Sequence, residues 1–224
     1  MSVFNNENSV SSAIESILKQ SYKNFEFLIL DDCSTDNSFE VIKNYEKVDN
    51  RIKIFKNKEN IGLTKSLNFL ISEATGSFIA RQDGDDTSLE DRLMQQFDFL
   101  NNYNLDGCST RAFIKNSNKL IPGISFHIPT SLLLKFKNPY IHGSLLLKKN
   151  VLEFFGGYDE SFYYAQDYKL ITEMKKFNYK IEILNKPLYI LNNKNNISSN
   201  YSDEQKYFAN CVKKGLIPNH NLFN

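Results

Sequence analysis

Three aspartates within four positions, Asp83, Asp85 and Asp86, stand out in the stretch SFIARQDGDDTSLEDR at 77–92. Carboxylates packed this closely repel one another unless something positive sits among them. The short apolar run Phe78-Ile79-Ala80 places the cluster at the end of a predicted strand. Two aspartates one residue apart, with Gly84 leaving room for close approach, have the chemistry to face a divalent cation bound to a diphosphate. Hard oxygen ligands suit Mg²⁺ or Mn²⁺, which keep several waters and bind through one or two carboxylates plus substrate phosphates. The same residues also suit a solvated acidic turn capping the next helix, with Asp86 or Ser88 as N-cap.

A second acidic pair, Asp31-Asp32, ends the apolar run FEFLIL and is followed by Ser34, Thr35 and Asp36. Ser34 or Asp36 suits the N-cap of the helix beyond it. A carboxylate at a strand end can also accept from a base N–H or a ribose hydroxyl. The acid-rich segment DGDDT additionally fits the DxDx[TV] pattern of haloacid-dehalogenase-type phosphatases, in which Asp83 would be a nucleophile. Arg81-Gln82 interrupt the approach that pattern needs, and the acidic pair lies upstream rather than downstream of it.

These residues need elements to hold them. Val10, Ala13, Ile14, Ile17 and Leu18 recur at helical spacing, with Asn8 or Ser9 as cap. A strand over 25–30, a helix over about 36–47, a strand in RIKIF, a helix from Leu63 to Ala74 closed by Gly76, the strand at 78–80 and a helix in LEDRLMQQFDFL follow. Alternating strands and helices predict βαβ units and a mainly parallel sheet. Right-handed crossovers then bring both acidic clusters to one edge, where ligands bind in open α/β sheets. Beyond residue 102, GCSTRAFIKN, KLIPGISFHI and HGSLLLKK read as strands, PTSLLLKF as a short helix and AQDYKLITEMKKF as a longer one. This second half is expected to finish the same sheet and build one wall of the site.

The 224 residues carry 27 Lys and Arg against 26 Asp and Glu, which excludes a basic footprint for nucleic acid over the whole chain. Cys33, Cys108 and Cys211 lie far apart without a CxxC pair, which points away from a thiolate metal site and toward a reducing cytoplasm. No apolar run approaches the roughly 20 residues that span a bilayer. The expectation is a soluble protein, attached to a membrane surface at most.

Taken in order, SVFNNENSVSSAIESILKQSYKNFEFLILDDCSTDNS and NKENIGLTKSLNFLISEATGSFIARQDGDD resemble the nucleotide-binding half of family 2 glycosyltransferases of the GT-A fold. NPYIHGSLLLKKNVLEFFGGYDESFYYAQDYKL resembles their acceptor-side half. The resemblance runs from residue 1 to about 200 and implies a Rossmann-like, mixed, mainly parallel sheet flanked by helices. It implies a single catalytic domain over 1–224, with a nucleotide-sugar half at 1–102, an acceptor-side half at 103–200 and a C-terminal helix or tail at 201–224. It also implies inverting sugar transfer from a nucleotide-diphosphate donor, a UDP-sugar above others, to a glycan or glycolipid acceptor, with Mg²⁺ or Mn²⁺ as cofactor.

Residue by residue, the resemblance places Asp32 against the nucleotide base with Asp31 beside it, Asp83 near the ribose or the metal, and Asp85 on the metal. Asp167 matches the catalytic base, preceded here by Gln166 where Glu is common. Read alone, Asp167 suits a first-turn aspartate favoured by the helix dipole. His142 matches a residue near the phosphates or metal, and read alone suits a hydrogen-bonded histidine at a strand end. Two features depart from the family: the apolar lead before SVFN is missing, and LYILNNKNNISSN offers only Lys194 where an arginine and a histidine are common.

Overall fold

The computed structural model describes residues 1–117, 119–192 and 201–222. Its first half follows the expected alternation, β1 (Ser2–Val3), α1 (Val10–Leu18), β2 (Phe27–Asp31), α2 (Ser38–Glu46), β3 (Ile52–Lys56), α3 (Leu63–Glu73), β4 (Phe78–Ala80) and α4 (Arg92–Asn102), with the unexpected two-residue β5 (Thr87–Ser88) before α4. β1, β2 and β3 pair in parallel, with Val3 opposite Asp31 and Asp31 opposite Lys56. β2 is buried along its whole length, which is why it reads as a continuous apolar run rather than an alternation. Val10, Ala13, Ile14 and Ile17 of α1 pack with Val3, Phe27, Ile29 and Ile42 on one face; Leu28 and Leu30 meet Leu70 and Ala74 of α3 on the other. Full burial of side chains such as Ile14 and Ile29 is worth about 1.5–3 kcal/mol each.

The second half comprises β6 (Gly107–Ile114), β7 (Leu120–Ile121), α5 (Thr130–Leu133), β8 (Leu146–Lys148), α6 (Lys149–Phe154), α7 (Gln166–Lys176), β9 (Ile181–Leu191) and α8 (Ser202–Lys214). Here the sheet is mixed. Its order is β4-β8-β6-β9-β5, with β6 and β9 parallel and the other neighbours antiparallel. Contrary to expectation it does not finish the first sheet: β1, β2 and β3 form one ladder, and β4 and β5 join the second. A cavity of about 790 Å³ lies between β2 and β4, lined by Phe27, Leu28, Phe78, Ile79, Arg81 and Arg92 among others. At its edge the Met1 ammonium is buried, donates to Leu28 O at 2.7 Å and has its pKa lowered to about 4 by desolvation.

Two expectations for this half need correction. Of KLIPGISFHI only Leu120–Ile121 is strand; Ile124–His127 is a 3₁₀ turn after the cis Ile121-Pro122 bond. HGSLLLKK is strand only over Leu146–Lys148, because His142–Ser144 also form a 3₁₀ turn. The eleven-residue β9 is not signalled by the sequence pattern, since Asn185-Lys186-Pro187 interrupt its apolar run. In the structure they form an irregularity: the register passes from Thr110 opposite Leu184 to Arg111 opposite Pro187. A proline that cannot donate to the ladder sits where the pairing slips. The largest core cluster joins α3, β8, α6, α7 and β9, and α8 adds Phe208, Cys211 and Val212 to it.

Candidate functional site

Both acidic clusters stand at carboxyl ends of strands, as the topology requires. Asp31 and Asp32 are 0% and 2% exposed, so each carboxylate must be answered inside the protein. Asp32 is answered fully. Its Oδ1 accepts from Asn57 Nδ2 at 2.7 Å and from the Ile61 amide at 3.0 Å, and its Oδ2 accepts from the Gly62 amide at 2.9 Å. It thereby holds the 57–62 turn that launches α3, a role additional to the base contact expected of it. Asp31 Oδ2 accepts from the Ser34 amide at 3.2 Å, while its buried Oδ1 has no partner. Ser9 stands at the expected cap position of α1 but donates its hydroxyl to Gly84 O at 3.1 Å, whereas Asn37, one residue past the expected Asp36, precedes α2 while Asp36 Oδ1 accepts from the Ser38 amide.

Arg81 is the first positive group beside the second cluster. It is 5% exposed and donates through Nη2 to Asp83 Oδ1. The sequence places these residues two apart in extended chain, which puts both side chains on one side. What broke the apolar pattern is therefore the counter-ion of Asp83. Among the described residues Asp85 has no ion-pair partner: burial, then the charge of Asp83, pushes its carboxyl up to about 6, with Lys115 offsetting part of the shift. Asp86 is pushed up to about 8 by burial and by both neighbours, and it accepts from the Asn192 amide at 2.7 Å. Neither Asp86 nor Ser88 caps α4; Asp91 precedes that helix.

Tyr189 on β9 organises this cluster. It is fully buried, its hydroxyl accepts from the Asp83 amide at 3.2 Å and bonds the Asp86 carboxyl, and the buried Arg92 lies 5.5 Å over its ring. Gly143 fits beneath it: a Cβ there would run into the Tyr189 hydroxyl and lie 2.6 Å from Asp83 Oδ2. Gly84 is constrained from the protein side, since a Cβ would come within 3.3 Å of Asn6 Oδ1 and 3.4 Å of Val3 Cγ2. Its missing side chain lets the acidic loop seat on the β1–α1 turn.

The 3₁₀ turn at 142–144 brings the second half to the acids. His142 Nε2 is 3.0 Å from the Tyr158 hydroxyl; burial, then the Arg81 cation, lowers the imidazole pKa, and burial raises that of the Tyr158 phenol. Gly143 in the same turn lies against Asp83, whose amide donates to Tyr189, so the two halves meet here. Asn68 of α3 fixes Tyr158, accepting its amide and donating to its carbonyl, each at 2.8 Å. Asp167 lies in the first turn of α7, after the left-handed Ala165 (φ 56°), and its Oδ2 accepts from Asn138 Nδ2 at 2.6 Å. Asn138 Oδ1 accepts from the Tyr140 amide at 3.1 Å, which fixes which end of the amide faces Asp167. Arg81, Tyr189, Tyr158 and Asn138 are absent from the sequence-derived site; only the spacing of Arg81 from Asp83 signalled any of them. Lys194 lies outside the described residues.

The donor set fits Mg²⁺ or Mn²⁺. Asp83 and Asp85 offer hard oxygens, and burial together with the neighbouring carboxylates raises Asp85 and Asp86, so a cation bound there would favour their charged forms. Among the described residues no three His, Cys, Asp or Glu side chains converge on a metal-sized point. His142, engaged with Tyr158, accordingly does not complete a cage with the two aspartates. A cation held mainly by water and phosphate needs no such cage.

Residues 1–158 match the sequence family described as glycosyl transferase family 2. EpsE of Bacillus subtilis (strain 168) is 36% identical over 165 residues, 70% of this chain and 58% of that protein, so the chain spans little more than half its length. The O-antigen biosynthesis glycosyltransferase WbnJ of Escherichia coli is 33% identical over 177 residues, 76% of this chain and 68% of its own. Among solved structures, the mannosyltransferase PcManGT from Pyrobaculum calidifontis, in complex with GDP-Man and Mn²⁺, superposes with a TM-score of 0.76 at 17% identity, covering 97% of this chain and 64% of that one. The fold is GT-A. The phosphatase reading falls with the family match, and Asp83, held by Arg81, is no free nucleophile. The chain belongs to glycosyl transferase family 2.

Proposed function

We propose that this protein transfers a sugar from a nucleotide-diphosphate donor to an acceptor hydroxyl, with inversion at the anomeric carbon, in building a cell-surface polysaccharide or glycolipid. The observation that carries the reading is the meeting of the halves: Asp83 from one stands against Gly143 and donates its amide to the Tyr189 hydroxyl of the other, next to the His142–Tyr158 pair. The name of WbnJ and the GDP-Man and Mn²⁺ bound to PcManGT support the donor and product classes. On this reading 1–102 and 103–200 are halves of one catalytic domain.

Asp31 and Asp32 form the floor under the nucleotide base, Asp83 faces the ribose or the cation, and Asp85 is the principal cation ligand. A cation held there would offset the charge that accumulates on the departing diphosphate. Asp167 is the base. As the acceptor oxygen bonds to the anomeric carbon, its proton passes to the Asp167 carboxylate and the bond to the diphosphate breaks, the nucleotide leaving with the electron pair. General-base help of this kind is worth roughly 10²–10⁴-fold. Asn138 occupies one carboxylate oxygen and turns the other toward the acceptor.

Calorimetric titration with UDP, dTDP, GDP and CDP, each with Mn²⁺ and again with EDTA, tests the donor site. Cation-dependent binding of one nucleotide is expected; binding of none would overturn the reading. Asp167→Asn should keep that affinity and lose roughly 10²–10⁴-fold in transfer and in slow donor hydrolysis. Binding without any turnover in the unaltered protein would instead identify a nucleotide-holding relative.

A further inference from the structure

Between Asp106 and Glu153 the chain carries no aspartate or glutamate, yet it holds Arg111, Lys115, Lys119, Lys135, Lys137, Lys148 and Lys149. In a protein with a net charge of +1, this is a strong local excess. Lys148 and Lys149 pair with the flanking Asp106 and Glu153, whereas Lys119, Lys135 and Lys137 are exposed and make no ion pair among the described residues. Interleaved with them are four apolar side chains at four-residue intervals: Ile124 is 90% exposed, Ile128 39%, Leu132 46% and Phe136 66%. Single exposed apolar residues are ordinary, but a run of this kind marks an interaction surface.

The segment is not loose. Leu133 and Leu134 are buried, and the Tyr168 hydroxyl donates to Leu134 O, tying the turn to α7. Arg111 donates to Pro122 O through Nε at 3.1 Å and Nη2 at 2.9 Å and lies 4.9 Å over the Phe126 ring, which fixes the preceding turn. Leu132 in α5 and Phe136 in the turn that follows it are both exposed, as are Ser131, Lys135 and Lys137. An anchored segment thus exposes both apolar tips and lysines that make no ion pair among the described residues.

We propose that residues 119–137 dock this protein on an anionic membrane surface. Apolar side chains inserting at the headgroup boundary and lysines facing anionic lipid are the two contributions that hold interfacial segments. Charge complementarity selects this occupant: a segment that carries lysines and no acid favours a sheet of negative headgroups. Asn138, which positions Asp167, follows the patch directly. Resting on the proposed function, the docking would bring a lipid-linked acceptor to the base from the membrane side.

The test is co-sedimentation of the full chain, without nucleotide, with phosphatidylcholine vesicles that either contain or lack phosphatidylglycerol. Binding is expected to the anionic vesicles and to weaken as salt is added. The double variant Lys135→Glu, Lys137→Glu should lower it at least tenfold, since each lysine near such a surface contributes roughly fivefold. Ile124→Ser with Phe136→Ser should lower it as well, and both pairs, being exposed, should leave the thermal midpoint unchanged. Failure to bind anionic vesicles, or binding that ignores both double variants, would overturn the docking surface, including in favour of an acidic protein partner. The nucleotide titration reports separately on the transferase reading, so either can fail alone.

Discussion

Asn138 and Arg81 show how much of this site rests on residues with no chemistry of their own. Each holds one oxygen of an aspartate and leaves the other for a ligand. Asn138→Ala would leave Asp167 in its helix but free to rotate. Because misplacement of a reacting group by about 1 Å can cost around 10²-fold, turnover should fall roughly ten- to a hundredfold while nucleotide affinity stays as it was. Steady-state rates beside the calorimetric titration check this; an equal loss in both would make Asn138 part of the binding surface instead. Asp31 and Asp32 differ in the same way. One is engaged by three donors and the other keeps an unpartnered oxygen, a distinction the identical adjacent letters do not carry.

At the level of elements, the site depends on contacts between α3 and the 157–162 segment. Asn68 bonds Tyr158 twice, Gly157 (φ 84°) has no room for a Cβ beside Asn68, and the Thr64 hydroxyl donates to Phe162 O at 3.0 Å. Asn68→Ala leaves a backbone donor and acceptor without those partners, at about 1–3 kcal/mol for each group that stays buried and unsatisfied. The expected result is a lower urea midpoint together with weakened nucleotide binding, since Tyr158 supports His142 beside Asp83. A variant that melts early but binds normally would separate that segment from the donor site. α1 to α4 and α7 are legible in the sequence because their apolar positions recur at helical spacing, whereas the short α6 is not. Nor is β9: an irregular strand with an internal proline has no period to read.

For the whole molecule, the proposed cation site would make binding depend on pH through the raised carboxyls of Asp85 and Asp86. Their folded pKa values, about 6 and about 8, lie above the ordinary aspartate value of 3.8. Each group therefore stabilises the cation-free fold below pH 3.8, and that contribution is lost as pH rises through its folded value. A divalent cation needs the deprotonated form, so it competes with protons and gains affinity over this window. At a hundredfold excess over its Kd a ligand adds about 2.7 kcal/mol, which for a chain of this size raises the melting midpoint by roughly 5–10 °C. Mn²⁺ with the cognate nucleotide should give a shift of that order at pH 8 and a much smaller one at pH 5.5. Equal shifts at both pH values would remove the two carboxyls from cation binding. Taken alone, the sequence determined the βαβ alternation of the first half and the placing of both acidic clusters at strand ends, because period and strand-end position are local properties. Tertiary structure decided which cation answers Asp83, which tyrosine organises the acids and how Asp167 comes to share a site with residues more than eighty positions earlier. Those outcomes depend on the mixed second sheet and on the turn at Gly143, where strands distant in sequence close on one another and no spacing along the chain records the contact.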